Sequence, residues 1–92
     1  MLLDFRQAQA DILALLNESS ITASDVRTDI KELVYVGEIG LAFDTLCSWL
    51  YEDSLAISRP FYERLLALSV DLEEPRAVER LEELVVEANP DP

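Results

Sequence analysis

The chain has 92 residues, 19 of them acidic and 7 basic, with no histidine and a formal net charge of −12 at pH 7. This charge argues against direct binding to nucleic acid or to an anionic membrane, and it favours a basic protein partner. Because histidine is the commonest general acid or base and the commonest side-chain metal ligand, its absence predicts a binding protein rather than an enzyme, with no cofactor and no metal site.

The first third of the chain predicts two amphipathic helices. Apolar residues recur with the period of an α-helix over residues 2–17, which predicts the first helix. Hydroxyl side chains in residues 18–22 compete for backbone hydrogen bonds and predict a turn. The second helix is expected to begin near Ser24 and to end at Gly37, because glycine adopts a positive φ at little steric cost.

The third helix, predicted from about residue 38 to residue 52, has the strongest apolar pattern and is expected to be central. Its predicted buried residues are Ile39, Ala42, Phe43, Leu46, Cys47 and Leu50. Cys47 falls on this apolar stripe and has no imidazole to activate it, which favours a buried core thiol over a nucleophile.

Two further helices are predicted in the second half. Ser58 is expected to cap the fourth helix, with Pro60 in its first turn and an apolar stripe formed by Phe61, Leu65, Leu68 and Leu72. Pro75 is expected to start a fifth helix that carries Val78, Leu81, Leu84, Val85 and Ala88, and residues 88–92 to form a frayed tail.

These elements predict an all-α fold class, a compact bundle of four to five antiparallel amphipathic helices in a single domain over residues 1–92. One cysteine allows no internal disulfide. The first residues lack the basic start of a signal peptide, and no apolar run is long enough to span a membrane. The expected location is the cytoplasm.

Two acidic regions have different interpretations. In residues 71–92, Arg76 and Arg80 are expected to pair locally with Glu79 and Glu83, so the remaining charge serves solubility. In the middle of the chain, carboxylates lie beside amphipathic aromatic side chains, a combination typical of a surface that binds a basic protein. The predicted binding residues are Asp25, Asp29, Glu32, Glu38, Asp44, Trp49, Tyr51, Glu52 and Asp53.

Trp49 and Tyr51 lie off the cleanest apolar stripe, so the sequence leaves open whether they are exposed interface anchors or core residues. If exposed, they could support a dimer. The expected oligomeric state is therefore a monomer or a weak homodimer.

A family resemblance rests mainly on residues 37–52, which begin with GEIGLA and end with LCSWLYE; Ile57, Ser58 and Tyr62 continue it. This pattern resembles the central segment of small helical bacterial immunity proteins of the MafI type, related in role to the immunity proteins of contact-dependent growth inhibition systems. The resemblance covers residues 30–72 and extends to the ends only as helical character.

The resemblance implies an inhibitor that binds a cognate bacterial toxin domain, often a nuclease, and occludes its active-site or substrate-binding surface. The charge fits this role, because a nuclease holds phosphates in a basic cleft that an acidic protein can cover. The alternative hypothesis is an acidic helical adaptor or structural module in a larger assembly. A small enzyme that uses only carboxylates is a third hypothesis and ranks last.

Overall fold

Four α-helices of 12 to 14 residues form most of the computed structural model, which describes residues 3–87. They are α1 (Phe5–Glu18), α2 (Ser24–Tyr35), α3 (Ile39–Glu52) and α4 (Arg59–Leu72). Two short 3-10 helices follow, at Pro75–Val78 and Leu81–Leu84. The radius of gyration is 13.0 Å, close to the ~12 Å expected of a compact domain of this length. The predicted fold class, a compact all-α bundle, is confirmed.

Local capping signals set the ends of several helices. The Asp4 carboxylate accepts a hydrogen bond from the Gln7 backbone N–H at 3.0 Å, so α1 begins at Phe5 and not at residue 2 as predicted. Ser58 caps α4 as predicted, because its hydroxyl accepts from the Phe61 N–H at 3.2 Å. Gly37 has a φ of +86° and follows the end of α2, as its conformational freedom indicates.

Helix α3 contributes the most to the core and contacts α1, α2 and both 3-10 helices. The predicted set of six buried residues on α3 matches the observed set. Phe43, Leu46 and Leu50 have no exposed surface, and burial of each such side chain stabilises the fold by about 1.5–3 kcal/mol. Ile12 of α1 and Ile30 of α2 are equally inaccessible.

An ion pair joins α4 to the end of α1. The Arg64 guanidinium donates to both carboxylate oxygens of Glu18, at 2.6 and 3.0 Å. The hydrogen bonds from Arg64 lower the pKa of Glu18. The two partners are 46 residues apart in sequence, so this contact helps to fix the position of α4 on the bundle.

The predicted fifth helix begins at Pro75 as expected, but it is not one continuous helix. Pro75–Val78 and Leu81–Leu84 are separate 3-10 helices with a turn between them. Leu81 and Leu84 are three residues apart within the second 3-10 helix, which matches its three residues per turn, and Val78 and Leu81 are buried. The apolar pattern therefore reflects real burial but a tighter helix than the one predicted.

Backbone pairing stops the helical path at Val85. The Ile57 N–H donates to the Leu84 carbonyl at 3.1 Å, and the Val86 N–H donates to the Ile57 carbonyl at 2.8 Å. These bonds form one parallel β-bridge between Ile57 and Val85. A fifth α-helix would need the same backbone groups for its own hydrogen bonds. Ala88 and the predicted tail, residues 88–92, lie outside the described residues.

Among the helices that the structure describes, none combines the length and the apolar character needed to cross a membrane. The longest have 14 residues, whereas a membrane-spanning helix needs about 20.

Candidate protein-binding surface

The nine predicted binding residues do not form one patch. Eight are exposed, and Tyr51 is half-buried. A groove between α2 and α3 includes Asp29 and Glu32. A second groove, between α3 and the segment after α4, includes Asp44, Tyr51 and Glu52. The remaining four, which line neither groove, are Asp25, Glu38, Trp49 and Asp53.

The first groove, called here the α2–α3 groove, has a volume of about 420 Å³. Its lining residues are Asp29, Glu32, Leu33, Val36 and Thr45. The four residues from α2 and its C-cap are spaced by one, three or four positions, which places them along one side of the helix. Val36 is 72% exposed and Leu33 is half-buried, so apolar surface lies between the two carboxylates and α3.

The basic residues of α2 are directed away from this groove. Arg27 donates to the carbonyl oxygens of Leu16 at 3.2 Å and Ile21 at 2.8 Å, which ties α2 to the end of α1. Lys31 is two positions from both Asp29 and Leu33, so it lies on the opposite side of the helix. The lining of the α2–α3 groove therefore contains two carboxylates and no basic side chain.

The second groove, called here the C-terminal groove, has a volume of about 170 Å³ and includes two arginines. Its lining residues are Asp44, Cys47, Ser48, Tyr51, Glu52, Arg76, Ala77, Arg80 and Leu81. A wider, open groove of about 590 Å³ is lined by Tyr51 and Glu52 and also by Glu83, Leu84 and Val86. In contrast to the α2–α3 groove, this region has cations next to its carboxylates.

The Tyr51 side chain packs against the C-terminal part of the chain and is only partly exposed to solvent. The Arg80 guanidinium lies 4.5 Å from the centre of its ring, a cation–π distance. The Tyr51 hydroxyl lies 3.4 Å from Oε1 of Glu83, and Arg80 Nε lies 3.5 Å from Oε2 of the same carboxylate. The predicted local pair of Arg80 with Glu83 is confirmed, whereas Arg76 and Glu79 form no ion pair within residues 3–87. Tyr51 is already engaged within the molecule.

Sequence reasoning considered Tyr35 as an exposed aromatic but missed the other exposed apolar side chains at the corner between α2 and α3. Tyr35 is 76% exposed, Leu41 is 53% exposed, and Val36 lies between them. Phe5 is also exposed and lies over this corner, since a Cβ on Gly37 would be 3.5 Å from its Cζ. The available signal was the Tyr-Val pair directly before Gly37, which departs from the apolar stripe of α2.

Cys47 is buried in the core, as predicted. Burial, with a smaller contribution from the nearby Asp44 carboxylate, raises the pKa of the Cys47 thiol, so it stays protonated at neutral pH. Within residues 3–87, no group of three or more acidic or cysteine side chains is arranged to hold a metal ion. The surface thus offers grooves and carboxylates for binding.

Fold and surface together define the class of this protein as a small, strongly acidic all-α domain with an acidic groove between α2 and α3 and a groove of mixed charge beside the C-terminal part of the chain. Comparisons with models of protein families, with curated proteins and with solved structures found no match. The resemblance to immunity proteins therefore stays a prediction from the sequence.

Proposed function

We propose that this protein is a cytoplasmic immunity protein that binds and neutralises a cognate basic toxin domain of the nuclease type. The observation that carries the proposal is the α2–α3 hairpin (residues 24–52), where a groove lined by two exposed carboxylates and no basic side chain also has exposed apolar surface. Apolar surface supplies affinity when a partner covers it, and carboxylates supply orientation and selectivity for a basic partner.

Inhibition in this proposal is occlusion without covalent chemistry. A nuclease attracts the phosphates of its substrate with a basic cleft, and the same field attracts a protein with a net charge of −12. Long-range attraction accelerates association, and added salt screens it. Association should therefore slow steeply as ionic strength rises, while dissociation changes less.

The decisive experiment pairs the protein with the toxin domain encoded by the adjacent gene. The purified protein is added to that domain in a nuclease assay, and the association and dissociation rates of the complex are measured by surface plasmon resonance at several salt concentrations. We expect stoichiometric loss of nuclease activity and salt-dependent association. Full nuclease activity in the presence of excess protein would contradict the proposal.

A second candidate function, an adaptor module in a larger assembly, is favoured by a separate feature of α4. Leu66 and Val70 are one helical turn apart and are 36% and 74% exposed, so α4 offers an apolar face of its own. An adaptor needs two such surfaces, whereas an inhibitor needs one. A Val70→Glu variant that still inhibits the toxin domain but no longer binds the larger assembly would favour the adaptor.

A further inference from the structure

We infer that the α2–α3 groove, and not the C-terminal groove, is the docking site for a cationic segment of a partner protein. The segment inserts an apolar side chain between α2 and α3 and sets lysine or arginine side chains against Asp29 and Glu32. This inference rests on the proposed function and assigns the contact to one of the two predicted acidic regions.

The α2–α3 groove combines apolar surface with carboxylates. Its volume of about 420 Å³ is open to solvent, and the apolar surface of Leu33 and Val36 lies directly beside the two carboxylates. A side chain that covers Val36, which is 72% exposed, removes apolar surface from water and gains affinity from the hydrophobic effect. The carboxylates then select a partner whose flanking residues are basic.

The two grooves differ in the charge of the side chains that line them. Arg76 and Arg80 line the C-terminal groove together with Asp44 and Glu52. An incoming lysine or arginine therefore meets two positive side chains there, and Arg80 already engages Tyr51. No basic residue lines the α2–α3 groove, so a cation meets attraction without this repulsion.

Other possible occupants of the α2–α3 groove are disfavoured by their charge. Nucleic acid and anionic lipid carry the same sign of charge as the rim of the groove. A second copy of this chain carries −12 and would bring further negative charge to the site. Of the occupants that could cover the apolar surface, a cationic protein segment is the one that the rim attracts.

The first test removes the rim charges without changing side-chain size. The double variant Asp29→Asn/Glu32→Gln is compared with Glu63→Gln/Glu79→Gln, which removes two exposed carboxylates that do not line the groove. Binding to the toxin domain of the adjacent gene should weaken about tenfold or more in the groove variant and about twofold or less in the control. Thermal unfolding checks that both variants fold.

The second test needs no toxin. A short synthetic peptide with arginines on one face and leucines on the other is titrated into isotopically labelled protein, and amide chemical shifts are followed by NMR. We expect the largest shifts around Leu33, Val36 and Thr45. Largest shifts around Ala77 and Leu81, or no saturable binding, would overturn the inference.

The two tests separate the two proposals. A toxin domain that is inhibited equally by the wild type and by the groove variant would refute the docking site and leave the immunity function standing. Peptide shifts confined to the groove, together with a toxin domain that stays active, would refute the immunity function and support the docking site.

Discussion

The α2–α3 hairpin and the C-terminal segment, residues 75–87, are both acidic, but they differ in how their carboxylates are compensated. In the C-terminal segment, Glu82 and Glu87 pair with Arg59, and Glu83 pairs with Arg80. Within residues 3–87, no ion pair involves the carboxylates of the α2–α3 groove. The number of carboxylates that remain free to bind a partner therefore depends on where the arginines lie in the folded chain, and not on the local number of acidic residues.

The two regions also differ in what holds them in place. The hairpin consists of regular helices whose apolar faces form much of the core. The C-terminal segment instead has short 3-10 helices, two buried side chains, one β-bridge and exposed ion pairs. It should therefore be the more easily detached of the two regions.

The largest expected effect comes from Leu81→Ala. Leu81 is 1% exposed, and its loss leaves a cavity under the C-terminal segment. The free energy of unfolding should fall by about 2–5 kcal/mol, measured by urea denaturation. Leu66→Ala on the exposed face of α4 is the control and should cost about 0.5 kcal/mol or less. Equal losses in the two variants would show that Leu81 does not fasten the segment.

Sequence reasoning recovered the four α-helices because their signals are local. The buried set of α3 follows from helical periodicity alone, and Ser58 and Gly37 act on the residues beside them. The end of the fifth helix was predicted too late because the backbone of Leu84 and Val86 bonds to Ile57, which lies 28 residues before Val85 in the chain. Periodicity contains no information about such a distant partner.

The candidate surface was predictable in composition but not in arrangement. The sequence placed carboxylates and aromatic residues in the middle of the chain. It could not show that Arg76 and Arg80 fold against Asp44 and Glu52, or that Arg27 is used on the carbonyls at the end of α1. These long-range placements divide one predicted surface into two grooves.

Arg80→Ala removes one of the two positive charges that offset the carboxylates of the C-terminal groove, and so makes this groove more like the α2–α3 groove. The variant loses the contact with the Tyr51 ring and the pair with Glu83, at a cost of about 0.5–1 kcal/mol in unfolding free energy. The groove also becomes more negative, so the cationic peptide should now shift amides near Ala77. Arg76→Ala, which removes the same charge without a cation–π contact, should lower stability less. If Arg76→Ala is the more destabilising of the two, the cation–π contact is not what holds Tyr51.

Asp53→Asn tests whether a carboxylate of the α2–α3 hairpin lowers the free energy of unfolding. Asp53 is the C-cap of α3, whose last turn has no basic residue, so its charge faces the negative end of the helix dipole. The variant should gain about 0.3–1 kcal/mol in unfolding free energy. Asp25 lies in the first turn of α2, where the dipole favours an acid, so Asp25→Asn should lose a similar amount. Two shifts of the same sign would show that the helix dipole does not control these positions.

The smallest effect is a pH-dependent one in the C-terminal segment. Arg59 Nη2 lies 2.6 Å from Glu87 Oε2, and this hydrogen bond lowers the pKa of Glu87. The pair therefore stabilises the folded state above about pH 4.5, the ordinary glutamate pKa, and the contribution is lost as pH falls through the lowered folded value.

Arg59→Ala should be slightly less stable than the wild type at neutral pH, and the difference should shrink towards about pH 3, as read from urea midpoints. A difference that stays constant with pH would mean that Arg59 acts through its packing against Tyr62, 5.7 Å from the ring centre, and not through Glu87.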